Sequence, residues 1–421
     1  MNRLKNTILP ISSLFLAIAF LAIGYGMIMT FVGVYLKQSG TNNISIGLIN
    51  AAFFLGAMAS SIFSQKIISS IGHIRSFATF AALMVVAFLS HALYLNEFFW
   101  GLLRLISGFA FYALLIIIES WLNEKSSNEQ RGEMLAIYTI IFYLCTALGQ
   151  LFLNIQIDLL KFVFAFGSIL VLLSLVLIAM TKIKEPKIEP YHRHSFPKLY
   201  SIVPLALTGS FIGGFFVGGF FTMVPLYILN TFDSTQVLSN FMAITIVGGL
   251  VSQWPIGKLS DKYGRRRLIA FSGFATALTS LFFIVFPANE VLFYGLGLLL
   301  GLTIFCIYPL SLSRANDVID ENKDIVEISR ALLFSYGAGS FVAPIVIGLG
   351  FSFVSDETLF LLFVALGVFL AFYALSKKRV ADDEMSVFVN VPVASGYMLP
   401  EFDPRQDQEW VDEQQSHHEQ N

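Results

Sequence analysis

Apolar residues in this chain neither alternate nor trace a one-sided stripe. They come in nearly unbroken runs of roughly twenty residues joined by short polar segments, and that is the length a helix needs to cross the hydrocarbon core of a bilayer. Twelve runs can be drawn, at 8–36, 46–63, 77–95, 98–122, 134–154, 162–180, 202–229, 238–256, 268–286, 291–312, 328–353 and 359–375. Backbone N–H and C=O groups find no water inside lipid, so each run must satisfy its own and is read as an α-helix. The expected fold class is an all-α integral membrane protein with twelve transmembrane helices.

Composition excludes a soluble globular domain: of 421 residues, 56% are hydrophobic and only 13% charged, too few charges to cover a water-facing surface. Arg3 and Lys5 precede the first run, which is too long for a cleavable signal peptide and reads as an uncleaved first helix. With the N-terminus inside, Lys37 and Lys161 are the only Lys/Arg in outward joins and Arg104 lies within a run; the other 23 of 26 fall on the inner side. That asymmetry predicts a multi-pass protein with an even number of spans and both termini in the cytoplasm.

The runs divide six and six about the 181–200 join, which carries five Lys/Arg and three prolines. The organisation expected is a six-helix bundle at 1–180, a cytoplasmic connector at 181–200, a second bundle at 201–375 and a tail at 376–421. The tail holds ten Asp/Glu against four Lys/Arg, together with Pro392, Pro400 and Pro404; with little to bury it is expected to be disordered. The net charge of −2 thus hides an excess of +4 on the remainder, facing lipid headgroups and not nucleic acid.

Sliding the chain by 192 residues aligns 26–75 with 218–267 at ten identical positions of fifty, among them Gly26/Gly218, Tyr35/Tyr227, Gly56/Gly248, Lys66/Lys258, Gly72/Gly264 and Arg75/Arg267. Internal similarity of this kind predicts two pseudo-symmetric six-helix bundles, as parallel transporter repeats leave.

Candidate chemistry is sparse. Cys145 and Cys306 sit inside apolar runs and read as core residues, without metal spacing or a disulfide framework. The His192/His194 pair in the connector lacks the further ligands a metal site needs. No phosphate loop of the Gly-x4-Gly-Lys-Ser/Thr type is present, and no nucleophile–base set, so neither ATP drive nor an enzyme is supported; no cofactor and no metal are expected. Arg104 stands out, because a charge inside a span is costly and should face a cavity or another helix. Glu119 shares its face about 22 Å further along the axis, too far for a direct pair. A lock between Glu119 and Arg75, or another inner-loop base, is expected. His91 reads as a bonded interfacial residue. Tyr25, Asn50, Tyr112, Tyr138, Gln150, Gln253, Tyr308 and Tyr336 are the polar or amphipathic side chains available to a central pathway.

Residues 257–267 read Gly-Lys-Leu-Ser-Asp-Lys-Tyr-Gly-Arg-Arg-Arg, with five basic residues around Asp261. Such a cluster predicts a tight turn at the membrane surface, with Asp261 near the positive end of a neighbouring helix and the arginines on carboxylates or lipid phosphates. The spacing of Gly257, Asp261, Lys262, Gly264, Arg265 and Arg266 resembles the loop signature of the major facilitator superfamily. The copy at Gln65–Arg75 is worn, with Ser69 in place of the acid. Arg104 and Gly108 are similar to the superfamily's fourth-helix motif, whose final glycine is here Ala110, and Gly149-Gln150 stands where its drug antiporters show Gly-Pro. Glu119-Ser120 with Arg131-Gly132, Gly249 through Gln253-Trp254-Pro255-Ile256-Gly257, and Tyr308-Pro309 together look like the YcaD-type branch.

The resemblance implies a secondary transporter that moves a small solute by alternating access. Its central cavity should draw on spans one, four, seven and ten, with help from two, five, eight and eleven. Arg104 would serve substrate or proton handling, and the 257–267 loop with Arg75 and Glu119 would gate. Spans one and seven hold no carboxylate, so any proton coupling falls to Arg104, Glu119 or His91. Sparse intramembrane charge favours a neutral, weakly charged or amphipathic solute, with Arg104 leaving room for a carboxylate. The expected partners are that solute, membrane lipids and, under coupling, protons, for a monomer. The competing expectation is a non-transporting receptor or scaffold that signals through its acidic tail.

Overall fold

A computed structural model describes residues 2–125, 128–154, 160–181, 203–318 and 325–378. The connector beyond Thr181, with His192 and His194, lies outside the described residues, as do the acidic tail beyond Lys378 and the side chains of Arg131 and Lys161.

Fourteen α-helices occur among the described residues: α1 (Asn2–Gln38), α2 (Asn43–Ile71), α3 (His73–His91), α4 (Glu97–Lys125), α5 (Asn128–Leu151), α6 (Leu160–Ala179), α7 (Pro204–Thr222), α8 (Val224–Phe232), α9 (Thr235–Tyr263), α10 (Arg265–Val285), α11 (Glu290–Ile304), α12 (Ile307–Asn316), α13 (Ile325–Phe353) and α14 (Thr358–Ser376). They supply twelve segments long and apolar enough to span a membrane, because α11 and α12 together make one span and the nine-residue α8 lies beyond the span formed by α7. Starts are capped where the sequence offers a short polar side chain. Asn42 accepts from the Ser45 amide, Ser234 from that of Val237 and Asn289 from that of Leu292, which satisfies a donor that each helix would otherwise leave open.

A proline stands just after each of the two breaks, α7/α8 and α11/α12, and contributes to it, although Pro255 and Pro344 lie within α9 and α13 without dividing them. Proline has no N–H to donate four residues back, so Pro225 leaves the Phe221 carbonyl and Pro309 the Phe305 carbonyl without a helical donor. The helices divide beside those residues, at Met223 and at Phe305–Cys306. The apolar runs, which register hydrophobicity alone, had predicted continuous spans there.

Two pseudo-symmetric six-helix bundles result, α1–α6 and α7–α14, and the glycines of the sequence repeat mark the same contacts in both. A Cβ on Gly26 would stand 2.3 Å from the Thr146 carbonyl oxygen on α5, and one on Gly218 would stand 2.7 Å from that of Ser340 on α13. A Cβ on Gly56 would meet the Leu105 oxygen of α4 at 2.0 Å, and one on Gly248 the Leu298 oxygen of α11 at 2.4 Å. Backbones touch at these crossings because no side chain intervenes, the usual means of packing helices where lipid competes with every apolar face. Hydroxyls add polar ties: Ser210 donates to the Leu332 carbonyl at 2.6 Å and Ser340 to that of Gly214 at 2.9 Å.

Candidate functional site

Across the two bundles, α2 packs on α13 and α5 on α9. Near Gly40, one end of this interface is sealed. Added Cβ atoms would stand 2.3 Å from the Pro344 oxygen at Gly47 and 2.7 Å from the Asn43 oxygen at Gly348, and Ser239 donates to the Gln150 carbonyl at 2.8 Å. The opposite end carries Gly72 and Gly264 and gathers Lys66, Arg75, Lys258, Lys262 and the three arginines 265–267; we call it the basic end.

Between the two ends, about halfway along the spans, lies a narrow cavity whose volume in this conformation is about 10 Å³, room for about one water. Its wall comes from Tyr25 (α1), Phe54 (α2), Tyr112 (α4), Phe142, Tyr143 and Thr146 (α5) and, in the second bundle, Val217 and Phe221 (α7), Ile246 (α9), Phe305 (α11–α12 break) and Tyr336 (α13). Spans one, two, four, five, seven, eight, ten and eleven contribute; three, six, nine and twelve do not. The two prolines matter here, since the carbonyls they strip belong to Phe221 and Phe305, whose rings cross at 6.2 Å. Rings also meet across the bundle interface, Tyr25 with Phe221 at 5.5 Å and Tyr143 with Phe305 at 5.6 Å. Gly249 makes room for Phe305, for a Cβ there would lie 2.5 Å from its ring.

Of the polar residues expected on a central pathway, Tyr25, Tyr112 and Tyr336 line this cavity. Tyr308 stands behind Tyr336, rings 5.0 Å apart. The other four serve contacts between or within helices. Gln150 donates to the Gly26 carbonyl at 2.6 Å, and Gln253 reaches the carbonyls of Gly249 at 3.3 Å and Phe305 at 3.5 Å, partly replacing the donor that Pro309 lacks. Tyr138 donates to the Glu119 carboxylate at 2.8 Å, and Asn50 accepts from Arg104. The sequence expectation covers polar and amphipathic side chains only, so Phe54, Phe142, Phe221 and Phe305 fall outside it; Tyr143, of the same kind as the tyrosines it includes, also lines the wall. Helical spacing from Tyr138 and Gln150 would have reached Phe142 and Thr146, since positions four apart share a face.

Arg104 is buried at 1% exposure and is held by the N-terminal bundle alone. Its Nη2 lies 3.2 Å from Met29 Sδ and 3.4 Å from Asn50 Oδ1, and its guanidinium sits 4.5 Å above the Phe53 ring. It is one layer behind the cavity, since Phe53 in turn packs on Tyr25 and Tyr112. No ion pair joins it to a carboxylate of a described residue. His91 bonds to the Ala87 carbonyl at 2.6 Å and stacks on Phe164.

The 257–267 segment differs from the expected turn. Gly257, Asp261 and Lys262 continue α9, and only Gly264, at φ 85°, leaves the helix before α10 begins; Gly72, at φ 87°, does the same between α2 and α3. A single residue with positive φ suffices to reverse the chain, and glycine takes that conformation at little cost. Charged residues continue the helix past the apolar run, which ended the sequence estimate early. Asp261, in the last turn of α9, pairs at 2.5 Å with Arg265, the first residue of α10. Arg265, itself 1% exposed, lies 3.6 Å from Asp317 and bonds Ser260. Arg266 donates to the Lys377 carbonyl and Arg314 to that of Lys378, so this cluster ties the end of α14 to α10 and α12. Arg75 is exposed and forms no ion pair with Glu119; the expected lock between these two is absent from this conformation.

A lipid-embedded pair of matched bundles around a central cavity is the architecture of a membrane transporter. The chain belongs to the Major Facilitator Superfamily, whose family model matches residues 14–325. It is 24% identical to the uncharacterised MFS-type transporter YcaD of Salmonella arizonae over 355 residues, 84% of this chain and 92% of that protein. Its fold is similar to that of a variant of the nucleoside transporter NupG, with a TM-score of 0.72 at 14% identity over 87% of this chain and 99% of the other. It is likewise similar to a D-xylose–proton symporter, with a TM-score of 0.68 at 16% identity over 93% and 100%.

Proposed function

We propose that this secondary transporter carries a small solute across the bacterial inner membrane by alternating access, with the cavity between the bundles as the binding site. One observation carries the reading: the cavity wall is shared by both bundles, so a rocking motion that opens the Gly47/Gly348 seal would expose the same residues to the other side. Basic residues gather at the Gly72/Gly264 end, and the positive-inside tendency supports the reading that this end and both termini are cytoplasmic. The sealed end then faces outward. The protein works as a monomer with lipid around it, and where transport is coupled to protons Arg104, Glu119 and His91 are the groups to carry it. No catalytic chemistry is assigned to it.

Thiol labelling tests the motion. Thr146→Cys, in a Cys145→Ser/Cys306→Ser background, should react with an impermeant thiol reagent supplied from either face of proteoliposomes. Reaction from one face alone, under every solute condition, would overturn alternating access through this cavity.

A further inference from the structure

The cavity wall also constrains what it can hold. Eight of its eleven residues are aromatic, and none is Asp, Glu, Lys, Arg or His. Arg104 is screened by Phe53 and engaged with Met29 and Asn50. A charged solute here would lose its hydration and gain no counter-charge.

Polar capacity is small but definite. Tyr25, Tyr112 and Tyr336 are 3%, 6% and 3% exposed, and none of their hydroxyls bonds to a described residue. Each retains a donor and acceptor turned to the cavity, two from the first bundle and one from the second. Thr146 already donates to the Phe142 carbonyl. A polyol would bring more hydroxyls than this wall can meet, and each one left unmet in a dry site counts against binding. An aliphatic solute would leave the phenols unused and forgo the stacked and edge-on contacts that rings offer to rings.

We propose that the central cavity, about 10 Å³ in this closed conformation and widened when the bundles rock apart, takes a small uncharged aromatic solute of one ring with a few hydrogen-bonding groups, flanked by the rings and met by the hydroxyls of Tyr25, Tyr112 and Tyr336. This rests on the transport reading for its biological meaning. The three phenols span both bundles, so a solute that bonds to all of them ties its own binding to closure of the interface.

The test is ligand-observed NMR of the purified full-length protein with five probes of similar size: benzamide, benzoate, benzyltrimethylammonium, cyclohexanecarboxamide and D-glucose. Benzamide should bind at least about tenfold tighter than each of the others. Ile246→Trp, which fills the cavity, should abolish its signal, and Tyr25→Phe/Tyr112→Phe/Tyr336→Phe, which keeps the rings, should weaken it. Equal or tighter binding of a charged probe or of glucose would overturn the proposal. So would persistence of the benzamide signal in Ile246→Trp, or no benzamide binding to the unmodified protein up to about 10 mM. Selective binding without flux of any solute in proteoliposomes would overturn the transport reading and leave this one standing. Flux of an anion or a sugar through the cavity would do the reverse.

Discussion

Gly47 of α2 lies so close to α13 that a Cβ added to it would stand 2.3 Å from the Pro344 carbonyl oxygen, and Gly348 opposes the Asn43 oxygen in the same way at 2.7 Å. At these two crossings there is room for hydrogen and nothing larger, so they close by backbone contact. Gly47→Trp should therefore prevent closure there and bias the protein toward the conformation open at that end. Labelling of Thr146→Cys from that face should accelerate by about tenfold or more, a shift of ~1.4 kcal/mol in the conformational equilibrium, while net flux falls. Unchanged labelling would show that the contact does not control the gate.

Pro309 contributes to the break between α11 and α12, and the Phe305 ring stands in the cavity wall there. Pro309→Ala restores the donor to the Phe305 carbonyl, which Gln253 reaches only at 3.5 Å. A mended helix should stabilise the protein by about 1 kcal/mol in a thermal melt and slow transport, because the substitution gives up the local bend for rigidity. A variant that transports as fast as the parent would detach the break from function.

The membrane spans were legible because a bilayer imposes a length and a polarity that can be read one residue at a time. So was the repeat, since Gly26/Gly218, Gly56/Gly248 and Gly72/Gly264 each answer to a steric demand that only glycine meets. The cavity was legible only in outline. Phe221 and Phe305 look like any other phenylalanines among 43, and their role depends on which carbonyls Pro225 and Pro309 release and on which helix lies opposite. Gln150 and Gln253 drew notice as polar groups in lipid, yet the same polarity suits them to bridging helix backbones. The charge cluster was visible, but its partner Asp317 lies 52 residues beyond Arg265 and belongs to no local pattern.

Arg104 keeps a guanidinium inside the N-terminal bundle with a thioether, an amide oxygen and an aromatic face as company. Replacing a buried ion by an apolar side chain of similar volume is often neutral for stability, so Arg104→Met separates structure from function. It should melt within a few degrees of the parent and lose about tenfold or more of its flux, with Arg104→Ala losing both. Unchanged flux together with an unchanged pH profile in either variant would remove Arg104 from transport and leave it as a bundle tie.

Arg265 sits between two carboxylates in unlike settings: the Asp261 side chain is 48% exposed, and that of Asp317 only 1%. Water screens the first pair, and exposed pairs of this kind contribute about 0–1 kcal/mol. The second is buried on both sides, where removing one partner costs up to about 3–5 kcal/mol; Asp261 stays beside Arg265, so the loss on removing Asp317 falls below that range but above that of an exposed pair. Distance alone ranks them the other way, at 2.5 Å for Asp261 and 3.6 Å for Asp317, so the comparison tests burial against proximity. Asp317→Asn should lower the melting temperature by several degrees more than Asp261→Asn does, and raising ionic strength should narrow the Asp261 effect while leaving that of Asp317 in place. If Asp261→Asn proves the more damaging of the two, proximity governs the cluster and Asp317 is not its anchor.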